Sequence, residues 1–123
     1  MNTVLIVSES RYPIKRKRIK QLILKYLANE GIDEAEISVA VVGSRKIKKL
    51  NNDFRKLNEE TTVLTFGLEE GRYQDSVLPL GDIVISYPQA REIAQDDNST
   101  MDEAIDKLVI HGMNNLMGRY SES

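Results

Sequence analysis

The pattern of hydrophobic and polar positions predicts a strand followed by a helix in the first third of the chain. The run from Thr3 to Ser8 is apolar and β-branched, and it has the length of a buried strand. Residues Arg11 to Pro13 interrupt it. Apolar residues then recur at helical spacing from Ile14 to Leu27, which predicts an amphipathic helix that ends near Asn29 to Gly31.

A second strand and a second helix are predicted next. The segment Glu36 to Val42 has strand character, and Ser44 is the expected N-cap of a helix that continues through Phe54. A third strand is predicted over Thr61 to Phe66, because this segment is rich in Thr, Val and Phe. The stretch Gly67 to Leu78 contains two Gly and several charged residues, so we expect a surface loop there.

The C-terminal part of the pattern predicts one more strand and two helices. The strand covers Gly81 to Ser86, a short helix follows over Gln89 to Gln95, and Asp96 to Ser99 forms a turn. Ser99 or Thr100 caps the last helix. The apolar residues at helical spacing predict its buried stripe: Ile105, Leu108, Val109, Gly112, Met113 and Leu116.

This order of elements predicts an α+β fold with a four-stranded mixed sheet and about four helices. The length of 123 residues, 41% of them hydrophobic, suffices for one sizeable core and is short for two, so residues 1–123 are expected to form a single domain. No apolar run has the length of a membrane span, and Val4 to Val7 is too short for a signal peptide. We therefore expect a cytoplasmic protein without membrane contact.

Charged residues are distributed unevenly along the chain, and this bears on the choice of ligand. The formal net charge is −2, but residues 1–56 contain 13 Lys and Arg against 6 Asp and Glu, whereas the remainder contains 4 against 13. Affinity for nucleic acid follows the local density of cations, so the near-neutral total is compatible with RNA binding. Candidate RNA-binding residues are Lys15, Arg16, Lys17, Arg18, Lys20, Lys46, Lys49 and Arg55.

Each of these candidates also has a simpler interpretation. A charge run on a short helix is commonly a solvated face, and Arg55 could form a surface ion pair with Glu59. Tyr12 and Tyr26 could stack on bases or pack in the interior. Asp82 either supports a site or caps the entry to a strand, and the cap is favoured.

Three segments resemble motifs of the YbeY family, bacterial endoribonucleases that mature ribosomal RNA. Residues 50–55 and 61–66 read Leu-Asn-Asn-Asp-Phe-Arg and Thr-Thr-Val-Leu-Thr-Phe, similar to the family's Asn, aromatic and Arg before Thr-Asp-Val-Leu-Ser-Phe. Residues 80–86 read Leu-Gly-Asp-Ile-Val-Ile-Ser, similar to the family's Leu-Gly-Asp-Ile strand. Residues 111–121 resemble the zinc motif His-Gly-x-Leu-His-Leu-x-Gly-Tyr-Asp-His in frame.

The resemblance implies a zincin-like fold, a zinc ion and cleavage of RNA, with Arg55 as a catalytic or RNA-binding residue. His111 stands at the first zinc-ligand position, but Asn115 and Ser121 stand where the second and third His would be. The chain contains one His and no Cys, and a carboxamide or hydroxyl is a poor zinc donor, so tight zinc binding is not expected.

The altered ligands leave the enzymatic activity open. The leading hypothesis is a YbeY-like protein that acts on or binds rRNA or ribosomal subunits, with zinc-dependent cleavage weakened or lost. Catalytic candidates are Arg55 and His111. The alternative is an inactive interaction protein whose acidic second half meets a ribosomal or translation-factor partner; a hydrolase of another substrate comes last.

Overall fold

A computed structural model describes residues 1–9, 11–67 and 78–118 of the chain. Four strands and four helices follow one another in the order strand, helix, strand, helix, strand, strand, helix, helix. The strands are β1 (Thr3–Ser8), β2 (Ala35–Val42), β3 (Val63–Gly67) and β4 (Leu78–Ser86). The helices are α1 (Arg16–Asn29), α2 (Ser44–Arg55), α3 (Tyr87–Asp97) and α4 (Met101–Leu116).

The strands form one mixed sheet in the order β1-β2-β4-β3. β1 and β4 each pair with β2 in parallel, and β3 pairs with β4 in antiparallel orientation. The predicted α+β fold with a four-stranded mixed sheet and about four helices is therefore confirmed. β3 forms one edge of the sheet, and its antiparallel direction brings its first residue, Val63, opposite Ile85 at the end of β4.

Alternate residues of the strands supply two separate cores. One face of the sheet contributes Ile37, Val39 and Val41 of β2 to the larger core, which the apolar stripes of α1, α3 and α4 complete. The opposite face contributes Val42 and Val84, which pack with Ile47 of α2 in a smaller core. Since side chains alternate across a strand, this division follows from the period of the sequence pattern.

The predicted boundaries need four corrections. β2 begins one residue earlier than expected, β3 runs from Val63 to Gly67 rather than from Thr61, and β4 begins at Leu78. The expected loop between Gly67 and Leu78 consequently loses both end residues to strands, while residues 68–77 lie outside the described part of the chain. α3 extends to Asp97, and the αL conformation of Asn98 ends it.

The predicted N-cap of α2 is also wrong by one residue. Gly43 is the N-cap and Ser44 is the first helical residue. Since glycine has no side chain, the cap residue cannot accept a hydrogen bond from a helix N–H in the usual way. The carboxylate of Glu9, which follows β1, accepts the Gly43 N–H at 2.7 Å instead. A contact between residues so distant in sequence depends on the parallel pairing of β1 with β2, which local pattern does not encode.

α4 begins at a well-defined residue. Thr100 caps it: the hydroxyl accepts from the Glu103 N–H at 3.1 Å, and the Glu103 carboxylate accepts from the Thr100 N–H at 2.9 Å. This reciprocal pair is a capping box. The predicted buried stripe is confirmed except for Leu116, which is only partly buried. The capping box fixes the residue at which α4 begins, and the helical period then places the apolar residues of the stripe on one face.

Asp82 does not cap the entry to a strand, which was the favoured interpretation of the sequence. It lies inside β4, on the sheet face that carries Val84, and is exposed. Its carboxylate accepts a hydrogen bond from the Ser38 hydroxyl on the neighbouring strand. Because Ser38 and Asp82 are paired in the parallel register, the bond ties β2 to β4 instead of capping a turn.

Candidate functional site

His111 and Asn115 lie one turn apart on the last part of α4. Because they are four residues apart, their side chains leave the helix on the same side. His111 is exposed, and it lines a depression of ≈ 470 Å³ together with Glu103, Asp106, Lys107 and Ile110. Asn115 is half-buried. The structure therefore preserves the shared helix face that a pair of metal ligands would need.

The residues on this face do not fit a zinc ion. Asn115 offers only a neutral carboxamide oxygen, whereas zinc in proteins prefers imidazole, thiolate and carboxylate. Within residues 1–9, 11–67 and 78–118, no three His, Cys, Asp or Glu side chains are grouped so that they could hold a metal. Ser121, at the third ligand position of the motif, lies outside the described residues.

Arg55 is the last residue of α2 and points to the edge strand. Its Nη2 donates to the Thr65 carbonyl oxygen of β3 at 3.3 Å, and the side chain is exposed. The ion pair with Glu59, the alternative considered from the sequence, is absent from the described residues. The helix ends at Arg55 and Lys56 adopts αL, so Glu59 is not at helical i+4 spacing. The exposed Arg55 guanidinium is therefore accessible to an anion beside β3.

Asn51 holds the segment between α2 and β3. It is 2% exposed, and its Nδ2 donates to the Glu59 carbonyl oxygen at 3.0 Å. A buried amide without this partner would be costly, so the bond fixes how the chain leaves α2 and approaches β3. The sequence motif contained Asn51, but nothing in the pattern distinguished it from the exposed Asn52 that follows it.

The predicted basic run on α1 is partly neutralised by α4. Lys15 lies 2.9 Å from the Asp102 carboxylate, and Arg18 donates twice to Asp106, at 2.6 and 3.3 Å. The hydrogen bond to Asp106, followed by the attraction of its charge, raises the pKa of Arg18. The Arg16 guanidinium donates hydrogen bonds to the Ile6 carbonyl oxygen and the Ser8 hydroxyl. Lys17 and Lys20 are exposed without such partners in the described part of the chain.

A second group of cations surrounds the start of α2. Lys46 and Lys49, both predicted from the sequence, line a cleft of ≈ 690 Å³ at the ends of β1 and β2. We call it the α2 cleft; its lining residues are Glu9, Arg11, Gly43, Arg45, Lys46 and Lys49. Arg11 and Arg45 were not among the RNA-binding residues predicted from the sequence. The available signal was the Gly43-Ser44 helix start followed directly by basic residues.

Both tyrosines that could stack on bases are partly buried and pack against the larger core. The Tyr12 ring stacks on Tyr87 with centroids 4.5 Å apart, and the Arg11 guanidinium lies 5.3 Å from its centroid. Tyr26 forms a hydrogen bond from its hydroxyl to the Asn114 carboxamide oxygen at 2.5 Å. The packing interpretation of these residues is therefore the one the structure supports.

Comparison with protein-family models matches residues 6–121 to the family described as Endoribonuclease YbeY. Among curated relatives, the Endoribonuclease YbeY of Persephonella marina is 34% identical over 119 residues, covering 96% of this chain and 78% of the relative. That of Aquifex aeolicus is 31% identical, covering 95% and 76%. That of Bacillus cytotoxicus is 32% identical, covering 81% and 69%.

A solved structure resembles the chain over nearly its whole length. The solution structure of TM1509 from Thermotoga maritima superposes with a TM-score of 0.63 at 27% sequence identity, covering 98% of this chain and 75% of that one. In the described part of this chain, no helix has the length and apolar character needed to cross a membrane.

Proposed function

This chain belongs to the YbeY endoribonuclease family, and from that premise we propose that it acts on or binds ribosomal RNA in the cytoplasm, with zinc-dependent cleavage weakened or lost. One observation carries the proposal: the family frame is retained while the ligand position on α4 is occupied by Asn115. The catalytic candidates remain His111 and Arg55, and the expected partner is rRNA or a ribosomal subunit.

The proposed loss of cleavage follows from the donor set. A catalytic zinc site needs three strong protein ligands and an open position for water. Here one imidazole, one carboxamide and one hydroxyl stand at the three positions of the motif. Zinc, when it is bound in a hydrolytic site, supplies an activated water and polarises the substrate. His111, Asn115 and Ser121 would hold such an ion too weakly for this chemistry to be sustained.

The residues that remain support binding more than cleavage. The Arg55 guanidinium, positioned by the Thr65 carbonyl beside the edge strand, can donate to a phosphate oxygen. His111, on the exposed side of α4, can donate a hydrogen bond to an RNA phosphate oxygen. Both roles orient RNA and neither requires a metal ion.

The alternative of a protein partner bound through the acidic second half has less support. Several of these carboxylates are engaged within the molecule: Asp97 with Lys107, Asp102 with Lys15 and Asp106 with Arg18. Glu103 belongs to the capping box. A basic partner would have to compete with these contacts, so RNA remains the favoured ligand.

The test combines binding and cleavage. Labelled rRNA fragments are titrated with the protein at moderate salt, and the same RNAs are incubated with and without added zinc. We expect binding without efficient cleavage. The variant Asn115→His with Ser121→His restores the family pattern and is expected to gain zinc-dependent cleavage. Failure of the protein to bind rRNA fragments or ribosomal subunits would contradict the proposal.

A further inference from the structure

The α2 cleft concentrates four cations, of which Arg45 and Lys46 have no carboxylate partner in the described part of the chain. Arg11, Arg45, Lys46 and Lys49 line it, and Glu9 is its one lining carboxylate. Such a surface attracts polyanions, because its positive potential is opposed by few fixed negative charges.

The negative charge of Glu9 lowers the positive potential of the cleft only in part, because its carboxylate is already bound within the molecule. Its carboxylate accepts the Gly43 N–H at 2.7 Å and lies 4.0 Å from the Arg11 guanidinium. Through the bond to Gly43, Glu9 links the end of β1 to the start of α2. Lys49 is 3.0 Å from Asp53, an exposed i,i+4 pair of the kind that contributes little stability and is readily exchanged for another anion.

We propose that the α2 cleft binds backbone phosphates of RNA, through Arg45, Lys46, Lys49 and Arg11, and that it does so more strongly than the basic run on α1. This inference rests on the proposed function, since it assigns the RNA of that proposal to one surface. The phosphates occupy the open mouth of the cleft, where exposed Arg and Lys side chains can each approach one oxygen.

The contrast with α1 comes from the neighbouring helix. Three of the five basic residues between positions 15 and 20 already contact oxygen atoms of this chain. The carboxylates of Asp102 and Asp106 lie directly against two of them, Lys15 and Arg18. A phosphate that approached Arg18 would displace Asp106 or be repelled by it. No comparable acidic helix faces Arg45 and Lys46 among the described residues.

The cleft is expected to read no base sequence. Tyr12 is the aromatic residue next to the cleft. Its ring stacks on Tyr87, and the Arg11 guanidinium lies 5.3 Å from the ring centroid, so the ring is not free to stack on a base. The lining residues are cations suited to phosphate oxygens. Contacts of this kind position a nucleic acid without specifying its sequence.

The experiment compares two double variants with the same loss of charge. Arg45→Gln with Lys46→Gln alters the cleft, and Lys17→Gln with Lys20→Gln alters exposed positions of α1 that have no ion-pair partner in the described chain. All four positions lie on helix surfaces, where Gln is well tolerated. Fluorescence anisotropy with two single-stranded RNAs of equal length and different base composition gives the dissociation constant at several salt concentrations.

We expect the cleft variant to weaken binding of both RNAs about 10- to 30-fold near 0.1 M salt and to reduce the salt slope by about 1.4, the value for two lost phosphate contacts on a single strand. The α1 variant is expected to change affinity by less than about threefold, because the α4 carboxylates Asp102 and Asp106, beside the same basic run, lower the positive potential around its unpaired lysines. Equal weakening by the two variants, or an unchanged salt slope in the cleft variant, would overturn the assignment while leaving RNA binding intact. If the unaltered protein binds rRNA fragments or ribosomal subunits but neither single-stranded RNA, this inference fails while the proposed function stands; if it binds none of them, both fail.

Discussion

Gly112 of α4 lies so close to Ile83 of β4 that a Cβ atom at position 112 would be 2.7 Å from the Ile83 Cγ2 and 3.0 Å from its Cδ1. The absence of a side chain at Gly112 therefore sets the distance between α4 and the sheet. His111 is the adjacent residue, so this packing also determines where the exposed face of α4 stands relative to β3 and β4.

We expect Gly112→Ala to destabilise the fold. The added methyl group enters a packed contact, and overpacking of this kind costs about 1–3 kcal/mol. Urea denaturation followed by circular dichroism measures the free energy of unfolding. Gly67→Ala is the matched control, because no atom lies within 4 Å of a Cβ placed there. An equal loss in both variants would show that the Ile83 contact is not the cause.

Asn51→Ala is expected to lower the free energy of unfolding by about 1–3 kcal/mol, because it removes the donor to the Glu59 carbonyl and leaves a gap in the buried site. The same substitution at the neighbouring exposed Asn52 is expected to change stability by less than about 0.5 kcal/mol. Denaturant titration of both variants provides the comparison. Similar values for the two would contradict a special role of Asn51 in holding the chain after α2.

The capping box predicts a pH-dependent contribution from Glu103. Hydrogen bonds from the Thr100 backbone and then from its hydroxyl lower the pKa of this carboxylate from its ordinary value of 4.5. A lowered pKa in the folded state means that the stabilisation is complete above the ordinary value and is lost as the pH falls through the lowered one. Glu103→Gln should therefore destabilise the protein at pH 7.

The difference between the unaltered protein and Glu103→Gln should then shrink as the pH is lowered through the acid range. Thermal unfolding of both proteins at pH 7 and in steps below pH 4.5 measures this difference in stability. Glu92→Gln, at an exposed residue of α3, controls for the general effect of removing one negative charge. A difference that stays constant at every pH would argue that the carboxylate charge has no part in the cap.

Metal content tests the donor set independently of activity. Protein purified without chelator or histidine tag is expected to contain far less than one zinc per chain, since His111 is its one strong ligand at the motif. Asn115→His with Ser121→His should raise the zinc content towards one per chain. Adding His111→Ala to that variant should lower it again. Elemental analysis that finds about one zinc in the unaltered protein, lost in His111→Ala, would overturn the expectation.

The sequence predicted the elements well, because their signals are local. The helical spacing of Ile105, Leu108 and Val109 and the β-branched strand runs depend only on neighbours along the chain. The resemblance of three ordered segments then indicated the family and the altered ligand Asn115. Short-range pattern was sufficient for these conclusions.

Contacts between distant segments escaped prediction. The bond between Glu9 and Gly43, the pairing of Ser38 with Asp82 and the ion pair of Arg18 with Asp106 all require knowledge of strand order and helix placement. The same holds for the α2 cleft, which gathers Arg11 from one segment and Arg45 from another. The predicted charge run on α1 was visible in the sequence, but its neutralisation by α4 was not.

The strand order also has a consequence for the growing chain on the ribosome. β2 lies between β1 and β4, so during synthesis one edge of β2 stays open until β4, far downstream, has emerged. Its apolar residues Ile37, Val39 and Val41 also await α3 and α4, which follow β4 along the chain. Folding must therefore finish late, and a nascent chain halted before β4 would present an apolar strand with an unpaired edge to its neighbours.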